Sequence, residues 1–465
     1  MWEWWGGTSD WHRTCPLSGV TSRSNLLAQS PRRALLGLAA PLLATGGLNL
    51  ASMLGDRLWI GWLGRDALAG LAGAHAVWML LFTAILGLSL GTLAGVARAR
   101  GAGDDEEAAA SAGAGLAVAL GVGGLAALLA WPVAWGTQPF LAPTPAVAEP
   151  AALYLAIVFA GALLQAPLMA ALFALQGAGE ARAALRAGAI YPLANLVLTP
   201  LLLIPWGLAG AALATVLANA LALGAALWLL RSVLGVRVAH LRPTRTRVGA
   251  VASVGVPRTL EHAVRNGAGL VLVVLLAPFG SSVLAGYAAA LGVLLLLIHP
   301  GLALGQAAAA CVGQSLGAGR LQRAWSSAWW AAGLYAAFLA LAGLVLQQAA
   351  PSLIGLFDRD PETVAAGSLL LRTLAPVLPL LGVGLVLGKA FGGARRARLS
   401  LLAATVAHIG VQIPLVLVLG NAWGVQGAFA GMAAAYAAHG AVAAGLFAWN
   451  FHPQAPALQP AGMTQ

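Results

Sequence analysis

The sequence predicts an all-α polytopic membrane protein with about twelve spans in two pseudo-symmetric six-helix lobes. Composition is the first reason: the 465-residue chain is 60% hydrophobic and 8% charged, with a mean hydropathy of +0.85. No soluble domain has that balance. The second is length, because apolar runs of about 20 or more residues recur from end to end, enough to cross about 30 Å of hydrocarbon. They run continuously in Ala, Leu, Val and Gly without the alternation of an outer-membrane barrel. The third is an internal duplication, described below.

The spans fall roughly at 34–62, 67–97, 108–136, 148–176, 183–205, 208–231, 249–278, 283–315, 323–350, 363–389, 397–419 and 424–449. Residues 1–33 read as a cytoplasmic tail, 34–232 as a first lobe, 233–248 as a cytoplasmic inter-lobe loop, 249–450 as a second lobe and 451–465 as a second cytoplasmic tail. The first thirty residues hold charges, Gly, Pro and Ser without an apolar core, so no cleavable signal is expected there. Trp2, Trp4, Trp5 and Trp11 belong to that tail.

Loop charge sets the orientation. The tail has Arg13, Arg23, Arg32 and Arg33, and the even loops carry Arg98 and Arg100, Arg182 and Arg186, Arg231 to Arg247, Arg320 and Arg323, and Lys389 to Arg398. The odd loops offer little beyond Arg65 and Arg359. Even loops and both termini are therefore expected on the cytoplasmic side of a cell membrane. This placement also accounts for the net charge of +11 without a basic nucleic-acid-binding domain.

The polar segment 232–249 divides the chain near its middle. On either side, Pro41 matches Pro257, DALAG (66–70) matches SVLAG (282–286), and GAGDDEEA (101–108) matches GAGRLQRA (317–324), all at a spacing of about 216 residues. Farther on, Pro200 pairs with Pro414 and GLAGAALAT (207–215) with GVQGAFAGM (424–432). This is a duplication. Six spans is an even number, so both halves enter the membrane in the same sense, related by an axis along its normal with a cleft between them. Such a bundle suits an alternating-access transporter.

Asp56 is the exceptional residue. It lies within the first apolar run, about seven residues from its outer end, where a carboxylate is costly and marks an ion, proton or substrate path. Asn49, Ser52 and Asp56 share one helical face, and Asn195 and Thr199 lie one turn apart just before Pro200. Tyr154 and Thr215 add hydroxyls from the fourth and sixth spans. A carboxylate that exchanges a proton is the functional reading; an outer-interface ion pair with Arg57 or Arg65 is the bland one. In the seventh span Arg258, Glu261 and Arg265 share a face with His262 alongside. Glu261 and Arg265 are spaced to neutralise each other, the arginines are near enough to the cytoplasmic end to snorkel, and a gate or coupling role is the alternative. His75, His299, His408 and His439 occur one per span and read as packing groups. Pro41, Pro192, Pro200, Pro257, Pro376, Pro379 and Pro414 should bend helices. Cys15 and Cys311 make no metal or disulfide pattern. There is no phosphate loop, HExxH or nucleophile triad, so neither an enzyme nor a bound cofactor or metal centre is expected.

ACVGQSLGAGRLQRA (310–324), ALQGAGEARAALRAGAIYPLANLVLTPLLLIPWGLAGAALAT (174–215), and the pattern Pro41, Asp56, Gly61, Leu63, Gly64 followed by ALAG together resemble signatures of multidrug and toxic compound extrusion transporters, over roughly residues 31–450. The resemblance implies two six-helix lobes and cation-coupled antiport of drugs or toxic amphipathic, often cationic, compounds by a monomer in the lipid bilayer. In one branch of that family a first-helix acid sits among polar residues of helices four to six in an outer-half pocket. Asp56 matches the acid; Tyr154, Asn195 and Thr215 match its neighbours. Where that branch has a second acid in N-x-x-x-D-P, this chain reads N-L-V-L-T-P, with Thr199. One carboxylate with neutral oxygens is a weak sodium cage at Asp56 and Asn195, whereas a proton needs only one, so proton coupling is expected, with sodium as the alternative. Another branch uses acids in the second lobe, where Glu261 lies in the corresponding helix. The other readings are a lipid-linked saccharide flippase of the wider superfamily, which would need a more cationic cavity, and a non-transporting scaffold or receptor.

Overall fold

A computed structural model describes residues 26–63, 65–141 and 145–453. Cys15, the tail tryptophans, Arg13, Arg23, Gly64, the side chain of Arg65 and the last twelve residues lie outside what is described. The described chain is helical throughout: α1 (Pro31–Gly61), α2 (Arg65–Ala102), α3 (Asp105–Leu128), α4 (Ala130–Leu141), α5 (Pro145–Gly177), α6 (Ala181–Leu234), α7 (Arg245–Leu276), α8 (Ser281–Gly317), α9 (Leu321–Ile354), α10 (Pro361–Leu374), α11 (Leu378–Gly393), α12 (Ala397–Thr405) and α13 (Ile413–Phe451). A π turn, Val406–Gln412, joins α12 to α13.

Among the described residues, 10 helices or helix runs are long and apolar enough to cross a membrane. Two of them are double. Thr215 approaches Asn195 to 3.3 Å, although twenty residues of straight helix would separate them by about 30 Å. The reversal is at Gly207 (φ 55°, ψ −138°), a conformation only glycine adopts without strain. Gly424 (φ 62°, ψ −143°) does the same in α13. A Cβ on Gly431 would lie 2.7 Å from the backbone nitrogen of Val416, so that helix also folds back. Ten runs with two reversals give the twelve expected spans. The third span is broken at Leu129 between α3 and α4. The tenth is broken by a 3₁₀ turn, Ala375–Val377, where Pro376 and Pro379 stand.

The duplication is physical. Gly70 packs on Val147 and Ala151, and Gly286 on Thr363 and Gly367. Gly177 lies over the Leu93 carbonyl, and Gly393 over that of Ala309. Every member of each second set is 216 residues beyond its counterpart. The helix turns at one end of the bundle, the end bearing the basic even loops, use left-handed residues at Gly103, Gly179, Gly319 and Arg395. Arg395 stands where the repeat has Gly179, at a conformation that costs a side chain about 1–2 kcal/mol.

The halves meet at this basic end. A Cβ on Gly101 would lie 2.0 Å from the Gln314 carbonyl oxygen, and one on Gly317 would lie 2.1 Å from that of Arg98. The two contacts exchange under the 216-residue shift, so α2 and α8 cross on the pseudo-twofold axis. Polar contacts add to the closure. The Gln314 amide donates to the Gly177 carbonyl at 2.9 Å, and Arg247, at the start of α7, donates to the Glu107 carboxylate at 2.7 and 3.1 Å. Glu107 lies in the first turn of α3, which Asp104 caps through the Glu107 amide at 2.8 Å, an acidic start that suits the helix dipole.

Each lobe has its own apolar core, and α1 spans both. Near its start, Leu35, Leu38 and Leu42 belong to the core of α8 and α9. Arg32 lies 3.5 Å over the Trp330 ring. Farther along, Gly55 lets α1 approach Leu196 of α6.

Candidate functional site

Four side chains of α1 and α6, Ser52, Asp56, Asn195 and Thr199, converge beside that approach. α6 presents Tyr191, Asn195 and Thr199 at successive i, i+4 positions on one face, and α1 brings Ser52 and Asp56 against it. The Asn195 amide nitrogen donates to both Asp56 oxygens at 2.8 Å and lies 3.2 Å from the Ser52 hydroxyl. The Thr199 hydroxyl donates to Asp56 Oδ1 at 2.9 Å. Past the Gly207 reversal, Thr215 sits 3.3 Å from Asn195 Oδ1 and 3.2 Å from the Ala211 carbonyl. The Thr215 contact occupies the amide oxygen and leaves the amide nitrogen for the carboxylate. Asn195 and Thr199 are fully buried; Asp56 is half-buried.

Tyr154, from α5, packs against the small cluster of Ile60, Leu203, Leu208 and Ala211. It lies within electrostatic reach of Asp56 rather than in its hydrogen-bond shell. The same is true of Tyr191, which sequence reading missed although its spacing from Asn195 is the spacing that linked Asn195 to Thr199. Asn49 lies on the Asp56 stripe but is exposed. Among the described residues no ion pair reaches Asp56, and Arg57 is exposed.

The second lobe holds a different polar cluster. Glu261 does not pair with Arg265. Its partner is Arg258, at 2.6 Å, and that guanidinium nitrogen also donates to the Gly388 carbonyl at 3.1 Å and the Ser400 hydroxyl at 2.9 Å. Nor does Arg258 snorkel; it is 2% exposed, because this face of α7 turns inward against α11 and α12. Arg265 donates to His262 Nδ1 at 2.8 Å instead. Lys389, read from sequence as a loop charge, is 4% exposed inside α11. His408 and His439 are not isolated either, since their rings lie 5.8 Å apart, and His408 Nδ1 is 2.6 Å from the Gln412 amide oxygen within the π turn.

The two clusters are not symmetry mates. With Pro41 on Pro257, Asp56 corresponds to Leu272 and Glu261 to Thr45. Glu261 is thus eleven residues nearer its helix start than Asp56, about 16 Å along the axis. Asp56 lies toward the far end of the bundle and Glu261 toward the basic end.

The MatE family model matches the chain twice, over residues 41–201 and 257–418, and the matches begin at the two prolines that set the repeat. The chain is 31% identical over 446 residues to the multidrug resistance protein NorM of Burkholderia vietnamiensis, covering 90% of this chain and 94% of that one. It is 29% identical over 432 residues to a probable multidrug resistance protein NorM of Deinococcus radiodurans, covering 90% and 95%. The fold is similar to that of a MATE solved in a bent conformation, with a TM-score of 0.86 at 22% identity over 91% of this chain and 96% of that one. It is also similar to an outward-facing MATE family transporter of the MOP superfamily, with a TM-score of 0.84 at 23% identity over 91% and 96%. With both repeats matched and relatives aligned along nine-tenths of its length, this chain belongs to the multidrug and toxic compound extrusion family, as a multi-pass multidrug efflux transporter.

Proposed function

We propose that the protein exports amphipathic, often cationic, organic compounds in exchange for protons, and that Asp56 carries the proton. The basic end is the cytoplasmic side of the cell membrane, with both termini there, and the transporter works as a monomer. The carrying observation is the shell of Asp56. Among the described residues, the hydrogen bonds to the carboxylate come from neutral donors, Asn195 and Thr199, so its charge is held without a cationic side chain. Among the described residues no group of three His, Cys, Asp or Glu side chains could hold a metal ion. A lone carboxylate with neutral oxygens is a poor sodium cage.

The chemistry follows from the donor count. An ionised carboxylate only accepts; a protonated one donates through its hydroxyl. On protonation one of the present donors loses its acceptor, and the Thr199 hydroxyl can reverse to accept the new proton. Asn195 cannot reverse as cheaply, because Thr215 engages its oxygen. The change loosens the α1–α6 contact on the side of Asp56. A proton and a substrate that favour different states of the two lobes are then exchanged across the membrane.

The test is export from proteoliposomes under an imposed pH gradient or an imposed sodium gradient, one at a time, for the native protein and Asp56→Asn. The native protein should respond to the pH gradient alone, and Asp56→Asn should lose that response. Undiminished proton-driven export by the variant would sink the assignment. A response to sodium alone would replace the proton with sodium.

A further inference from the structure

The interior of the second lobe is electrically unbalanced. Arg258 and Glu261 neutralise each other at 2.6 Å. Arg265 remains as an unmatched guanidinium, with the Lys389 amine within electrostatic reach of it and of that pair, and no second carboxylate appears among the charges acting on Lys389, His262 or His439. In the first lobe the repeat places Leu42, Thr45, Asn49 and Phe173 where the second has Arg258, Glu261, Arg265 and Lys389, so this basic cluster belongs to one lobe alone.

The unpartnered atoms tell the same story. Arg265 donates to His262 Nδ1, which leaves the His262 proton on Nε2, and Nε2 is buried with no partner. Arg258 Nε, always an N–H, is buried and unpartnered too, as are both ring nitrogens of His439, which is 3% exposed. Three N–H donors thus face one free acceptor nitrogen, on His439. Water would satisfy the donors but would leave the guanidinium charge of Arg265, which does not deprotonate, without a carboxylate to match it. A charge left unmatched inside the bundle is costlier than a missing hydrogen bond. A group that accepts hydrogen bonds and carries a negative charge answers both deficits.

We propose that the second lobe binds a monovalent anionic group, a carboxylate or a halide, among Lys389, Arg265, His262 and His439. Gly384 and Gly388, one turn apart on α11, bring its backbone close to His439 and to Arg258 with Ser400, so α7, α11 and α13 each contribute donors to one packed cluster. The site involves neither Asp56 nor its neighbours, and its test reads binding rather than export.

The experiment is equilibrium dialysis of the purified full chain against radiolabelled benzoate and, separately, radiolabelled chloride, at constant ionic strength with isethionate as the balancing anion. Benzylammonium, which has the same aromatic ring and the opposite charge, serves as the control for the ring. The expected result is saturable binding of benzoate or chloride, one per chain, with none of benzylammonium at the same site. Lys389→Met and Arg265→Gln should each weaken it about tenfold or more, the size of one lost charge-assisted hydrogen bond. Arg265 is half-buried, so its variant remains informative if Lys389→Met fails to fold. Binding of benzoate but not chloride would identify a substrate carboxylate, and the reverse a halide site. Absence of saturable binding by either anion, or affinity unchanged in both variants, overturns the proposal.

Discussion

Thr199 is the residue on which the choice of ion turns. It stands 2.9 Å from an Asp56 oxygen, where a carboxylate in its place would face another at contact distance. Two such groups do not both ionise without a cation between them. Thr199→Asp should therefore bind sodium: its melting temperature should rise by a few degrees when sodium replaces potassium, while that of the native protein should not move. A sodium response already present in the native protein would contradict the single-carboxylate argument. Much of this site was legible in the sequence, because Ser52–Asp56 and Asn195–Thr199 are helical neighbours whatever the tertiary structure. The second-lobe cluster was not. Whether Glu261 meets Arg258 or Arg265 depends on side-chain direction at equivalent i, i+3 and i, i+4 spacings, and Lys389 near a span end looks like a loop charge until α11 is rotated about its axis. His408 and His439 meet only through the packing of two spans.

At the scale of elements, hydropathy located the spans but not their interruptions. The break at Leu129 and the π turn Val406–Gln412 leave the apolar pattern intact, whereas the 3₁₀ turn Ala375–Val377 falls where Pro376 and Pro379 were expected to bend the chain. The π turn matters for register: it admits one extra residue per turn, so residues before Pro414 are rotated relative to their counterparts before Pro200. The reversals at Gly207 and Gly424 fall at the span boundaries expected at 205–208 and 419–424, and the matched segments GLAG and GVQG begin at these two glycines. Their backbones are nearly identical, and a Cβ at either would meet nothing within 4 Å, so any penalty there is conformational rather than steric. Gly207→Ala and Gly424→Ala should each destabilise by about 1–3 kcal/mol, by similar amounts, measured as thermal unfolding in detergent. Only Gly207→Ala should also impair export under a pH gradient beyond what its stability explains, because that turn sets Thr215 against Asn195.

For the whole molecule, the crossing of α2 and α8 on the pseudo-twofold axis is the contact that must change when the lobes rock. Closure at the basic end is built from backbone against backbone: Gly101 on the Gln314 carbonyl and Gly317 on that of Arg98. No side chain can move aside there, so a single methyl forces the helices apart. Packed interfaces of this kind have discrete arrangements rather than a soft continuum, and the methyl should shift population toward the state open at the basic end. Gly317→Ala, and equally Gly101→Ala by the pseudo-symmetry, is predicted to do this. Spin labels at Arg182 and Arg398, an exposed pair 216 residues apart that start the spans after the α5–α6 and α11–α12 turns, would report it. The native protein should give mainly the short distance of the closed end, and either alanine variant should transfer a substantial fraction to a longer one. The two variants together should add little to one alone, because both act on one crossing and their effects are coupled. A distance distribution unchanged in both variants would mean that closure rests instead on the Arg247–Glu107 pair and the apolar contacts of α1 with α8 and α9, and that the axis is a feature of descent rather than of motion.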